Sequence, residues 1–450
     1  MHIHILGISG TFMGSLAAIA KESGFQVTGS DLYSYPPISD QLSDLGIEVI
    51  PNYDLKQLDL NPDLIVIGNV MTRGMPLVEA ILNGDIPYTS GPEWLGNNIL
   101  KDRTVIAVSG THGKTTTASL IAFILQDLGY DPGYLIGGVP IGFSTSATRG
   151  SDPYFVIEAD EYDTAFFDKR SKFIHYNPNF LVINNIEFDH VDIFSDMSEI
   201  YWQFHQLLRL IPSDTTVVAN GDDNNIKQLF SQGFWSEKVT FGKSNKHDWS
   251  MDVITDDGVT FSRGNEQIGQ IRPQIIGQHN MMNILGATAA LSTVGLENKD
   301  ILKSIDRFPG VKRRLEFLGE HSGIKIFDDF AHHPTSIIAS IDSLKDKYQG
   351  DGSLYTITEL ASNTMKKGTL REELVDSFDQ ADLSLIINNK DIEWDIEKEY
   401  TNKNNTIIIE NHEEIMDHLS DQLKPGDIIL IMTNRTSVPI REVLMSIIGE

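Results

Sequence analysis

The chain has 450 residues, with 35 Lys+Arg against 63 Asp+Glu and a formal net charge of −28. A chain this long exceeds one compact core and predicts two to four domains, and its charge repels polyanions, which excludes nucleic acid and anionic membrane surfaces as expected partners. The 40% hydrophobic content excludes wholesale disorder, and Cys 0 excludes disulfides, thiolate metal sites and thiol nucleophiles.

The N-terminal run Met1-His2-Ile3-His4-Ile5-Leu6-Gly7 lacks the basic region of a secretory signal. No apolar run approaches the roughly 20 residues that span a bilayer, so a cytoplasmic location is expected. Strand patterns over 2–6, 26–30, 46–50 and 64–68 alternate with a helix over 11–22 that stops at Gly24. That βαβ rhythm predicts a parallel sheet. Residues 87–98 read as a polar wind-down into the junction Lys101-Asp102-Arg103.

A strand over 104–109 enters a Gly-rich turn and a helix over 114–128, followed by strands over 154–157, 180–183 and 215–219. Residues 249–276 are short alternating runs broken by Asp256-Asp257-Gly258 and Arg263-Gly264-Asn265, the pattern of a small antiparallel hairpin system on the edge of the sheet. A helix over 280–294 ends at Gly295. After Pro309-Gly310, strands over 324–327, 354–357, 383–387, 406–409 and 427–432 alternate with helices, a third α/β unit. The expected domains are 1–102, 103–308 and 309–450.

Ser109-Gly110-Thr111-His112-Gly113-Lys114-Thr115-Thr116-Thr117 lies between a strand and a helix, where a phosphate-binding loop belongs. Loop N–H groups and the helix N-terminus would face phosphates, Lys114 the β/γ-phosphates and Thr115 a Mg²⁺ ion. Val108 stands where the longer form of the motif has its first glycine. Glu158-Ala159-Asp160-Glu161-Tyr162-Asp163 puts four carboxylates at the end of an apolar strand, which either hold a hard cation or form a solvated acidic loop. Asn184-Asn185-Ile186-Glu187-Phe188-Asp189-His190 follows another such strand, and ligands of α/β sheets gather at such ends.

The first-domain run Gly7-Ile8-Ser9-Gly10-Thr11-Phe12-Met13-Gly14 departs from the dinucleotide fingerprint and fits a dinucleotide, a nucleotide sugar or close packing. Asp31, after the second strand, is placed for a ribose hydroxyl. Gly277-Gln278-His279-Asn280-Met281-Met282-Asn283 opens a helix with Asn280 and Asn283 on nearly one face, for capping or for a ligand. Lys312-Arg313-Arg314 is a basic run that fits an anion site or a solvated strand. Asp328-Asp329-Phe330-Ala331-His332-His333-Pro334-Thr335 ends a strand and starts a helix.

In this order, the motifs resemble those of the Mur ligase family over nearly the whole chain. The resemblance implies an α/β protein of three domains: a Rossmann-like UDP-sugar-binding N-terminal domain, a central P-loop ATPase domain with a parallel sheet plus a small antiparallel sheet, and a C-terminal Rossmann-like peptide-binding domain. It implies ATP and Mg²⁺, with the metal held by Thr115, Glu158 and His190, and catalysis by Lys114, Glu158 and His190. It places the nucleotide on Gly110, Thr111, His112, Gly113, Lys114, Thr115, Thr116, Asn185, His279, Asn280, Asn283, Arg314 and Asp328, and substrate on Gly7, Gly10, Thr11, Phe12, Met13, Asp31 and His332.

Finer features, among them Gly10-Thr11-Phe12-Met13-Gly14, Tyr35-Pro36-Pro37 and Ser362-Asn363-Thr364-Met365-Lys366, resemble members that join L-Ala-γ-D-Glu-meso-diaminopimelate to UDP-N-acetylmuramate through an acyl phosphate, in peptidoglycan recycling. Ala361, and Asn434-Arg435-Thr436-Ser437-Val438-Pro439, depart from the family pattern in the domain expected to take the peptide. That leaves addition of L-alanine to the same sugar as an alternative. From other classes, a nucleotide-regulated binding module and a dehydrogenase also remain.

Overall fold

The computed structural model describes residues 1–36, 38–255, 258–350 and 352–449; Pro37 of the Tyr35-Pro36-Pro37 run and Asp256-Asp257 of the expected turn lie outside the described residues. The chain forms two compact units. The first holds residues 1–187, 198–272 and 283–308, and the second holds 188–197, 273–282 and the chain from Pro309 onward. Among the described residues, no helix is long and apolar enough to cross a membrane.

The first unit carries two large sheets. The N-terminal sheet is wholly parallel, built from β1 (His2–Leu6), β2 (Gln26–Ser30), β3 (Val49–Ile50), β4 (Leu64–Ile67) and β5 (Tyr88–Ser90) in the order β3-β2-β1-β4-β5. The strand order reverses between β1 and β4, and the crevice beyond the carboxyl ends of such a pair is where open α/β sheets take ligands. Helix α1 (Thr11–Glu22) follows β1 and buries its run Met13 to Ala20. It stops at Ser23, with Gly24 at φ 86 supplying the left-handed residue that ends many helices.

Residues 87–98 differ from expectation: they form β5, a helix (Gly91–Leu95) and a further helical turn (Gly96–Leu100). Ser90 Oγ accepts the Glu93 N–H at 3.3 Å and Pro92 sits in the first turn, so the polar run is a capped helix start. Trp94 is then buried edge-on against Phe25 at 5.3 Å between ring centres.

The central sheet has ten strands: β6 (Thr104–Ser109), β7 (Gly133–Leu135), β8 (Ala147–Thr148), β9 (Tyr154–Glu158), β12 (Phe180–Ile183), β13 (Thr216–Asn220), β14 (Glu237–Gly242), β15 (Trp249–Thr255), β16 (Gly258–Arg263) and β17 (Glu266–Ile271). A separate ribbon pairs β10 (Asp163–Ala165) with β11 (Asp168–Ser171). The order is β17-β16-β15-β14-β13-β12-β6-β9-β7-β8, with β7, β9, β6, β12, β13 and β14 parallel and β15 to β17 an antiparallel extension, as the hairpin pattern predicts. Strands such as Phe-Leu-Val-Ile of β12 are continuous apolar runs, buried after the first residue, as central parallel strands require.

The second unit carries the sheet β18-β19-β23-β20-β21-β22, made of β18 (Glu316–His321), β19 (Ile324–Asp329), β20 (Leu354–Glu359), β21 (Leu383–Ile387), β22 (Thr406–Ile409) and β23 (Ile428–Met432). All pairs are parallel except the edge pair β18–β19. Its two faces bury separate apolar clusters, one around Phe327, Phe378 and Leu430, the other around Ile357, Ile429 and Leu444.

Candidate active site

β6 is buried to its last residue, so the chain leaving it turns inside the sheet's carboxyl edge. Gly110 has φ 128 and Gly113 has φ 79, both in the region side chains avoid. A Cβ on Gly110 would lie 2.9 Å from Asn185 O, and one on Gly113 would collide with Asn283 Oδ1. Helix α2 (Lys114–Asp127) starts on Gly113 without a side-chain cap, and the N-terminus of such a helix is its positive end. Thr116 is buried in its first turn.

The end of β12 shapes this loop from the side. Asn185 accepts the His112 N–H at 2.8 Å through Oδ1 and donates to the His112 carbonyl at 3.2 Å through Nδ2. Thr111 Oγ1 donates to Glu187 O at 3.2 Å and accepts the Glu187 N–H at 2.8 Å. Asn184, to which sequence reasoning gave no role, is buried and donates to Thr117 Oγ1 at 3.0 Å.

The end of β9 supplies the acidic partners. Glu158 Oε1 accepts the Thr115 hydroxyl at 3.1 Å, and Glu158 Oε2 accepts the Gly137 N–H at 2.7 Å. Lys114 Nζ donates to Glu161 Oε2 at 2.9 Å and to Gly110 O at 2.7 Å. Burial opposes the charge on Lys114, but Glu161, Asp160 and Glu158 together outweigh it and raise its pKa, so the ammonium stays charged. A hydroxyl and a carboxylate in contact are the hard oxygen donors a Mg²⁺ ion takes, so Thr115 and Glu158 fit that ion.

At the β1–β4 reversal, Gly7, Gly10, Thr11, Phe12 and Met13 line a cavity of about 290 Å³, joined by Asn69, Thr164 and Lys172. Five residues singled out in the first domain thus share one cavity with two residues of the central segment. Asp31 is not among its lining residues. Its Oδ2 accepts the Ser9 N–H at 3.0 Å and its Oδ1 is 3.2 Å from the Tyr53 hydroxyl, so it braces the glycine turn. Lys172, in a short 3₁₀ turn, was given no individual role from the sequence.

The remaining predicted residues lie in the second unit, apart from Asn283, whose Oδ1 is 3.5 Å from Asn184 Nδ2 in the first. His190 adopts φ 59 beside the buried Asp189, which accepts the Thr364 hydroxyl at 2.6 Å. Burial would raise the Asp189 pKa, but His190, His332, Thr364 and His333 reverse this and lower it. His332 Nδ1 is 2.8 Å from Phe330 O, and the Arg314 guanidinium lies over the Phe330 ring at 4.8 Å. Asp328 is buried, accepts the Ser437 hydroxyl at 2.5 Å and faces Arg313 at 3.6 Å; burial raises its pKa. Asn280 Nδ2 donates to Ile276 O, four residues back along the chain, at 2.7 Å, and His279 sits beside Gly277.

Three family models match along the chain: the Mur ligase family, catalytic domain over residues 2–103, the Mur ligase middle domain over 108–291, and the Mur ligase, glutamate ligase domain over 313–435. The UDP-N-acetylmuramate–L-alanyl-γ-D-glutamyl-meso-2,6-diaminoheptandioate ligase of Haemophilus influenzae is 43% identical over 443 residues, 96% of each chain. Its Escherichia coli counterpart is 44% identical over 440 residues, 96% of this chain and 95% of the other. A crystal structure of a murein peptide ligase from Psychrobacter arcticus is 38% identical, covers 100% of this chain and 99% of its own, and superposes with a TM-score of 0.75. With three domains of mixed α/β fold in the matching order, the chain belongs to the Mur ligase family of ATP-dependent ligases.

Proposed function

We propose that this ligase joins the tripeptide L-Ala-γ-D-Glu-meso-diaminopimelate to the lactyl carboxylate of UDP-N-acetylmuramate, in the cytoplasm and in peptidoglycan recycling. The observation that carries the reading is the grouping of Lys114 and Thr115, at the glycine-shaped loop, with Glu158 at the end of β9, within a chain 43% identical over 96% of its length to a ligase named for that reaction. The working domains are 1–102 for the UDP-sugar, 103–308 for ATP and 309–450 for the peptide.

The carboxylate attacks the γ-phosphorus of ATP, and ADP leaves. The peptide amine then attacks the acyl carbon, the C–O bond to phosphate breaks, and the amine proton goes to solvent or a nearby base. Substrate acid and triphosphate are both anionic, so the protein's contribution is positioning and charge neutralisation. Lys114 supplies an ammonium that its carboxylate neighbours keep charged, and the loop N–H groups orient the phosphates. Thr115, Glu158 and His190 would hold Mg²⁺, which neutralises phosphate charge when bound. His279, Asn280 and Asn283 serve the adenine, Arg314 and Asp328 the rest of the nucleotide, and His332 the incoming substrate.

Mass spectrometry of products from UDP-N-acetylmuramate, ATP and an equimolar mixture of tripeptide and L-alanine tests the reading. A UDP-muramyl tripeptide is expected. Exclusive formation of the L-alanine adduct replaces this acceptor with the single amino acid, and no adduct with any amine removes the ligase assignment.

A further inference from the structure

Lys172 opens the short 3₁₀ turn Lys172–His175 and lines the cavity at the N-terminus of α1. Its side chain is only 16% exposed. Its Nζ stands 5.5 Å from the Phe12 ring centre and 5.4 Å from that of Tyr162, within the range where an ammonium is held by aromatic faces. Asp160 Oδ2 accepts one of its three donors at 2.9 Å. Phe12 belongs to the first turn of α1, so the ammonium and the positive end of a 12-residue helix face one cavity. In a chain of net charge −28, two positive groups converging on one concave surface select an anion against the global field.

We infer that Lys172 binds the diphosphate of the nucleotide-sugar substrate, delivered from the central segment onto the helix end of the first domain. The inference rests on the reading under Proposed function and adds a binding residue to it. The diphosphate is the group of that ligand carrying enough charge for both positive elements. The lactyl carboxylate must instead reach the triphosphate beside Lys114. Asp160 is the positioning residue: adjacent in sequence to Glu161, it holds Lys172 as Glu161 holds Lys114. One strand end thus sets a cation at each of two sites.

The test is calorimetric binding of UDP-N-acetylmuramate, UDP-N-acetylglucosamine and ATP to the full chain and to Lys172→Met and Lys172→Arg. UDP-N-acetylglucosamine carries the diphosphate without the lactyl acid. Lys172→Met is expected to weaken both UDP-sugars about 10-fold or more, the scale of a lost charge-assisted bond, with ATP unchanged and Lys172→Arg recovering most of the affinity. Asp160→Asn is expected to weaken them in the same direction by less. Unchanged binding of both UDP-sugars overturns the inference. So does weakening confined to UDP-N-acetylmuramate, which puts Lys172 on the carboxylate, or a wild-type protein without affinity for UDP-N-acetylglucosamine. Loss of ATP binding with no rescue by arginine makes the lysine structural and also overturns it. A wild-type protein that fails to bind UDP-N-acetylmuramate overturns the proposed function itself, and this assignment with it.

Discussion

Lys114 Nζ meets the Glu161 carboxylate at 2.9 and 3.1 Å, with the two side chains only 11% and 4% exposed. A pair this buried is a poor source of net stability, but breaking it from one side leaves an uncompensated charge, which costs about 3–5 kcal/mol. Lys114→Met is therefore expected to lower stability by an amount of that order. The double variant Lys114→Met/Glu161→Gln should regain much of it. Turnover behaves differently: phosphate release should fall on the order of 10²-fold in both variants, because the ammonium is missing from each. Denaturant melts alongside a phosphate-release assay read the two effects apart, and near-normal turnover in Lys114→Met removes the lysine from the reaction.

Gly113 carries two constraints at once, φ 79 and a blocked Cβ position against Asn283. Gly129, after α2, has φ 90 and open space around its Cβ position. Left-handed backbone costs a side chain about 1–2 kcal/mol, so Gly129→Ala should show that loss alone and keep its activity. Gly113→Ala should lose more stability and most of its ATP binding. Equal losses in the two variants would show that Asn283 yields freely.

Glu158 holds the Thr115 hydroxyl at 3.1 Å and the Gly137 N–H at 2.7 Å. Glu158→Gln preserves the size of the side chain and removes its charge. The Mg²⁺ concentration for half-maximal phosphate release should rise about 10- to 100-fold, with little change in melting temperature. A titration of Mg²⁺ at fixed ATP measures it, and an unshifted midpoint takes Glu158 out of the metal site.

Asp329 is buried, and burial pushes its pKa up from 3.8 to about 6 against the opposing effects of Arg314 and the Ala331 N–H. Between pH 3.8 and 6 the folded protein holds a proton that the unfolded chain has released, so this group's contribution to stability falls as pH rises through that window. The change amounts to about 3 kcal/mol at most. Asp329→Asn cannot titrate, so the stability difference between wild type and variant should tilt toward the wild type as pH drops from neutral to about 4. Urea melts at several pH values measure the tilt, and a constant difference removes the shift.

The sequence by itself determined the elements whose physics is local. Continuous apolar runs such as Phe-Leu-Val-Ile of β12 read as buried strands, and Gly110 and Gly113 around Lys114 announced a phosphate loop because glycine adopts positive φ at least cost. Local signals were weaker for the helix Gly91–Leu95, whose Ser90 cap and Pro92 sit in a polar run, and for the short strands β7, β8, β10 and β11. Asp31 lies where a ribose ligand belongs, yet its oxygens meet Ser9 and Tyr53, partners 22 positions away in each direction. Only the tertiary structure decided that Glu161 takes Lys114, that Asn185 grips the His112 peptide, and that Lys172 enters a cavity whose other wall begins at Gly7. Those partners lie 47, 73 and more than 150 positions apart, brought together by strand order and not by spacing. Periodicity and backbone preference act over a few residues, whereas charge pairing and cavity lining depend on which strand ends become neighbours.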